Sequence, residues 1–111
     1  MARLSGKKQM KPYTQFEDWH LEKLASPSEA KAYLQLALED YENDYDSEAF
    51  LLAIRDVAKA MGGIGKLAQE TNLNRQSLYK ALSSDGNPRL DTFMTILHGL
   101  GFRLSIASLE R

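Results

Sequence analysis

Residues 65–82 read GKLAQETNLNRQSLYKAL, and this stretch decides the fold. Leu67 and Ala68 share the inner face of a short helix, and Asn72 stands where a tight turn needs a left-handed residue, which asparagine tolerates better than most. Leu73 is the apolar plug of the turn, and Asn74 is placed to cap a second helix. Leu78, Ala81 and Leu82 recur on the inner face of that helix. Two short helices separated by three or four residues make the pattern of a helix-turn-helix, whose second member enters the major groove of DNA. The remaining positions, Arg75, Gln76, Ser77, Tyr79 and Lys80, suit such a groove. Arginine pairs with guanine, glutamine with adenine, serine and tyrosine reach phosphate or a base edge, and lysine meets phosphate. An exposed face made for solubility alone would carry glutamates, and none occurs at positions 74–84. Lys66 and Arg89 flank the helix and are candidate phosphate clamps, with solvated surface as the plain rival reading.

Working outward, apolar periodicity predicts further helices on both sides. Ala30, Tyr33, Leu34, Ala37, Leu38 and Tyr41 recur at three and four residues, which predicts a helix over 27–42. Ser26, Pro27 and Glu29 read as its capping box. The acidic run at 39–46 predicts its end, because carboxylates oppose the negative pole of a helix and repel one another. A second helix, starting after Asp46 or Ser47, carries the stripe Phe50, Ile54, Val57 and Met61 and stops at Gly62 and Gly63. The two helices of the central stretch follow, over 64–70 and 75–82. Ser84-Asp85-Gly86-Asn87-Pro88 is a loop of turn residues, and a last helix over 91–100 turns Phe93, Ile96, Leu97 and Leu100 inward before Gly101. Phe102-Arg103-Leu104-Ser105-Ile106 alternates, which predicts a half-buried strand. A lone strand needs a partner, either residues 13–24 or the same strand of a second copy. Residues 13–24 mix periods and leave a short strand and irregular packing equally open.

A chain of 111 residues with 43% hydrophobic content suits one core plus an appendage. There is no cysteine, and the two histidines stand apart. Disulfides, thiolate catalysis and Cys-based zinc sites are therefore excluded, and no cofactor or metal is expected. No apolar run approaches a membrane span, so a cytoplasmic protein with no membrane partner is expected. The net charge of -1 hides a strong asymmetry. Residues 1–12 carry four basic residues and no acid, and a flexible basic tail is expected there. Residues 13–48 carry ten acidic against two basic residues, a balance of -8, and residues 49–111 carry eight basic against five acidic, a balance of +3. The expected organisation is a tail at 1–12, an acidic segment with a helix at 13–46, and a helix-turn-helix domain with a terminal strand at 47–111. Such asymmetry indicates different partners for different surfaces.

Other chemistry-bearing residues have plain readings. Tyr33 and Tyr41 lie on an apolar stripe and read as core, and Trp19 reads as a packing anchor. His20 and His98 have no carboxylate or histidine at ligand spacing and read as surface. Asp44 and Asp46 sit in a run whose mutual repulsion favours solvent. No catalytic motif is present, and no enzyme is expected.

From position 49 to 106 the chain resembles the HigA-like helix-turn-helix antitoxins, the addiction module antidote proteins of the phage-repressor-like (XRE) superfamily. The resemblance is carried by GKLAQETNLNRQSLYKALSSDGNPRLDTFMTILHGLGFRLSI, including SLYKALS, the DGNP loop and the terminal GFRLSI. It implies a five-helix repressor-like DNA-binding domain; together with the helix and the strand read above, the expected fold is mainly α, that domain preceded by an N-terminal helix and followed by a short C-terminal strand. It also implies a homodimer that binds operator DNA to repress its own operon and that neutralises a RelE/HigB-like toxin, a small basic ribonuclease. Carried over by position, Arg75, Gln76 and Lys80 are the base-reading candidates, with Asn74, Ser77 and Tyr79 as neighbours. The chain departs from the superfamily pattern in having Asn72 where glycine is frequent, and in lacking a phosphate-binding glutamine near Ile64 or Gly65. The resemblance thus implies two compatible functions: an autoregulatory repressor, and an inhibitor whose acidic segment covers a basic toxin. A solitary phage-repressor-like regulator without a toxin is the alternative.

Overall fold

The computed structural model describes residues 19–110 of the chain, and helix follows helix from 19 to 99. Residues 19–24 are helical and are called α1. Then come α2 (Pro27–Asp44), α3 (Ser47–Ala60), α4 (Gly63–Thr71), α5 (Arg75–Ala81) and α6 (Leu90–Gly99). The expected basic tail and residues 13–18 lie outside the described residues. From position 19 onward the undecided N-terminal segment is helical.

Helix ends follow local chemistry, with two departures from expectation. Pro27 opens α2, but the Ser26 side chain makes no cap hydrogen bond. Its hydroxyl instead lies 3.2 Å from that of Ser28, and Glu29 pairs with Lys23 of α1 at 3.8 Å. The second departure is length, since α2 continues two residues past the expected end at 42. Its carboxylates are exposed, where solvent and salt screen their repulsion. The chain turns at Tyr45, in the left-handed region at φ 56. Asp44 then accepts a hydrogen bond from the Asp46 N–H at 2.9 Å, and Asp46 caps α3 by accepting from the Ala49 N–H at 3.2 Å. The acidic run thus builds the joint between two helices.

The core sits where α3 meets its neighbours. Ile54, Val57, Leu78, Leu82 and Ile96 are its largest fully buried side chains. Leu24, Ala30 and Leu34 from α1 and α2 belong to the same cluster, so the core runs unbroken across the change of charge near Asp46. Rings extend it outward: Tyr41 stacks on Phe50 with centroids 5.7 Å apart, and Phe50 meets Phe93 of α6 at 5.8 Å. Among the described residues no polar or charged residue is buried.

Three side chains at the α1–α2–α3 junction are joined through space. The Tyr33 hydroxyl donates to Asp56 at 3.0 Å, His20 lies 3.8 Å from the same carboxylate, and the His20 and Tyr33 rings meet edge to face at 4.9 Å. His20, expected at the surface without a carboxylate, therefore has one supplied by α3. Trp19, expected as a packing anchor, is 56% exposed, with the Lys23 ammonium 5.2 Å from its ring centre.

The expected C-terminal strand does not form. Among the described residues there is no strand, and 102–110 has no regular secondary structure. The alternation survives in burial only as far as Ser105, with Phe102 and Leu104 half-buried and Arg103 and Ser105 exposed, whereas Ile106 is fully exposed. What is missing is a second strand, because the described part of the expected N-terminal partner is a helix.

Candidate nucleic-acid interface

Helices α4 and α5 are joined by the turn Asn72-Leu73-Asn74, and each of its residues has a distinct task. Asn72 adopts the left-handed conformation, φ 62 and ψ 17, and its N–H bonds the Ala68 carbonyl. Thr71 adds a contribution not read from the sequence. Its hydroxyl donates to the Leu67 carbonyl at 2.8 Å and accepts from the Leu73 N–H at 3.2 Å, tying the last turn of α4 to the connection. Asn74 is extended, at φ -84 and ψ 161, and its side-chain oxygen accepts from the Ser77 N–H at 2.7 Å. This satisfies one of the orphan amides at the start of α5.

A helix of seven residues has little stability of its own, so packing must hold α5. Leu78 and Leu82 are buried on its inner side. At its far end, a side chain on Gly86 would collide with the carbonyls of Ala81 and Lys80, and the loop folds back there on glycine alone. Gly99 does similar work for α4. A Cβ at that position would lie 2.6 Å from Thr71 Cγ2 and 2.9 Å from Leu67 Cδ1, so α6 crosses α4 closely.

With the inner side anchored, Asn74, Arg75, Gln76, Ser77, Tyr79 and Lys80 are all exposed, Tyr79 by 60%. Lys66 and Arg89 are exposed as well. Arg89 stands at the start of α6 without a side-chain cap hydrogen bond and lies 3.6 Å from Asp91, a solvated pairing of little energetic weight. Arg75 does not simply extend into solvent. A Cβ on Gly65 would lie 2.6 Å from its Nη2 and 3.2 Å from its Cζ, so the guanidinium rests over the first turn of α4. Gly65, unremarkable in the sequence, is the bare surface that admits it. The only sequence signal was the absence of a side chain there.

A second surface lies between α2 and α3. A groove of about 230 Å³ is lined by Tyr33, Ala37 and Tyr41 and edged by Asp40, Asp44 and Asp46. Among the described residues no cluster of His, Cys, Asp or Glu could hold a metal ion, and no helix is long and apolar enough to cross a membrane.

The described fold is thus mainly helical, with a short cationic and amide-bearing helix presented on its surface. Residues 14–108 match the model of a family described as "Probable addiction module antidote protein", and the chain belongs to this family. It is also 32% identical over 85 residues to a protein of Haemophilus influenzae (strain Rd) that carries the name "Uncharacterized protein", an alignment spanning 77% of this chain and 82% of the relative. No solved structure matches the chain.

Proposed function

We propose that the protein is the antitoxin of a two-component module: a dimer that binds operator DNA, represses its own operon and neutralises a basic RelE/HigB-like toxin. The observation that carries the DNA half is α5, whose buried Leu78 and Leu82 turn Arg75, Gln76, Ser77, Tyr79 and Lys80 outward with no acid among them. In this reading Arg75, Gln76 and Lys80 meet base edges or phosphate, and Asn74, Ser77, Tyr79, Lys66 and Arg89 support them. So few contacts per copy bind weakly, and a two-fold dimer placing two α5 helices about 34 Å apart in successive major grooves supplies the affinity.

Membership of the antidote family supports the toxin half. The acidic segment at 13–46, with the groove between α2 and α3, is the surface proposed for a basic partner. Its charge accelerates encounter more than it deepens affinity. The double substitution Arg75→Ala with Gln76→Ala tests the assignment. Operator shifts in a gel should vanish while helicity and toxin capture remain, and an unchanged operator shift would refute the role given to α5.

A further inference from the structure

Residues 102–110 leave the helices as a strip whose backbone is unused beyond Phe102. Gly101, at φ 94, turns the chain off α6, and the Phe102 N–H bonds the Leu97 carbonyl at 2.9 Å. Beyond it, among the described residues, no hydrogen bond ties 103–110 to the chain. Phe102 and Leu104 lean on the body of the molecule, whereas Ile106 is 100% and Leu109 77% exposed. Beside the strip lies an apolar groove of about 470 Å³, floored by Leu34, Leu38, Phe50, Phe93 and Leu97. An alternating strip with open donors and acceptors is an edge awaiting a strand. Two large apolar side chains in water are the part of this surface that solvation does not explain.

We infer that the strip is a dimerisation strand: residues 102–108 pair antiparallel with the same residues of a second copy, about a two-fold axis through Ser105. This inference rests on the dimer of the proposed function and locates its interface. The occupant follows from charge and pattern. Lys31 and Arg103 rim the groove, which disfavours a basic partner, whereas a second copy brings the same alternation. Residues directly opposite in an antiparallel pair point to one face, so the axis must pass through a residue for apolar to meet apolar. Ser105 is the choice that sets half-buried Leu104 opposite the fully exposed Ile106 of the second copy. It also sets Arg103 opposite Ala107 and keeps like charges apart. The paired strands then close the groove with Ile106 from the second copy.

The chain has no cysteine, which permits a clean test. Under mild oxidation Ser105→Cys should form a disulfide-linked dimer, since directly opposed residues lie at about 4.5–5.5 Å between Cα atoms, within disulfide reach. Ser108→Cys should not, its copies being separated by about six residues of strand, roughly 20 Å. Ile106→Asp should halve the sedimentation mass from twice the 12.5 kDa chain to one chain, with far-UV dichroism unchanged. A dimeric mass without the Ser105→Cys cross-link, or a dimer that survives Ile106→Asp, overturns the strand pairing while leaving the DNA reading of α5 standing. A wild-type monomer overturns both the pairing and the two-fold operator complex. Loss of operator binding in Arg75→Ala with the cross-link intact bears on α5 alone.

Discussion

A methyl group at Gly65 would sit 2.6 Å from the end of the Arg75 side chain, and this contact separates stability from DNA binding. Alanine is favoured over glycine in a helix by about 1 kcal/mol, and the arginine tip can move aside. Gly65→Ala should therefore keep or raise the melting temperature while weakening operator affinity, as read by fluorescence anisotropy. Arg75→Ala should cost about 1–3 kcal/mol of affinity if the residue reads a base. If it meets only phosphate, the loss should be uniform across operator sequences and the salt slope should fall by about one. Tyr33 makes a different kind of prediction. Its burial, then its hydrogen bond to and the charge of Asp56, push the phenol up to about 12 from 10.0. The folded state holds this proton more tightly than the unfolded state, so its contribution is complete below about pH 10 and disappears as pH rises toward 12. Chemical denaturation of wild type should lose stability across that window more steeply than Tyr33→Phe, and equal slopes would remove Tyr33 from the account.

Among the elements, α5 depends most on others. Its pattern was legible because each determinant is local: Asn72 for the left-handed turn, Asn74 for the cap, Leu78 for the inner face. Asn74→Ala should destabilise by about 1 kcal/mol through the lost cap, and Leu78→Ala by about 2–5 kcal/mol through the cavity left behind, both measured by urea unfolding. A larger loss from the cap than from the core residue would contradict the packing described for α5. The Ser26 capping box was misread because Glu29 found Lys23, a partner on another helix. The end of α2 was misplaced because repulsion among exposed carboxylates is weak in water, and the turn at Tyr45 decides the matter instead.

At the scale of the whole molecule, charge and core divide the chain differently. The charge map changes sign near Asp46, which suggests two separable units. Leu24, Ala30 and Leu34 nevertheless bury in the same cluster as Ile54 and Val57, and removing α1 and α2 would uncover one side of α3. A fragment starting at Asp46 should thus unfold with a broad, weakly cooperative thermal transition, as followed by circular dichroism. A sharp transition near that of the full chain would show that the acidic segment is an addition to an independent domain. For separating toxin capture from DNA binding, point substitutions are the better tool. Asp40→Lys alters the α2–α3 groove without touching the core or the Asp44–Asp46 joint, and should slow toxin association while leaving operator shifts intact.

What the sequence by itself determined is what nearest neighbours decide: five apolar stripes, the turn between α4 and α5, the loop at 84–88, and the outward set from Asn74 to Lys80. These follow from periodicity and capping within a few residues, where backbone sterics dominate. Tertiary structure alone decided which remote groups meet. It placed Asp56 against Tyr33 and His20, Gly65 beneath Arg75, and Gly99 against Thr71, and it left the alternating strip at 102–106 without a strand. A pattern of side chains states which face an element will bury, but pairing and close approach depend on what the rest of the chain brings alongside.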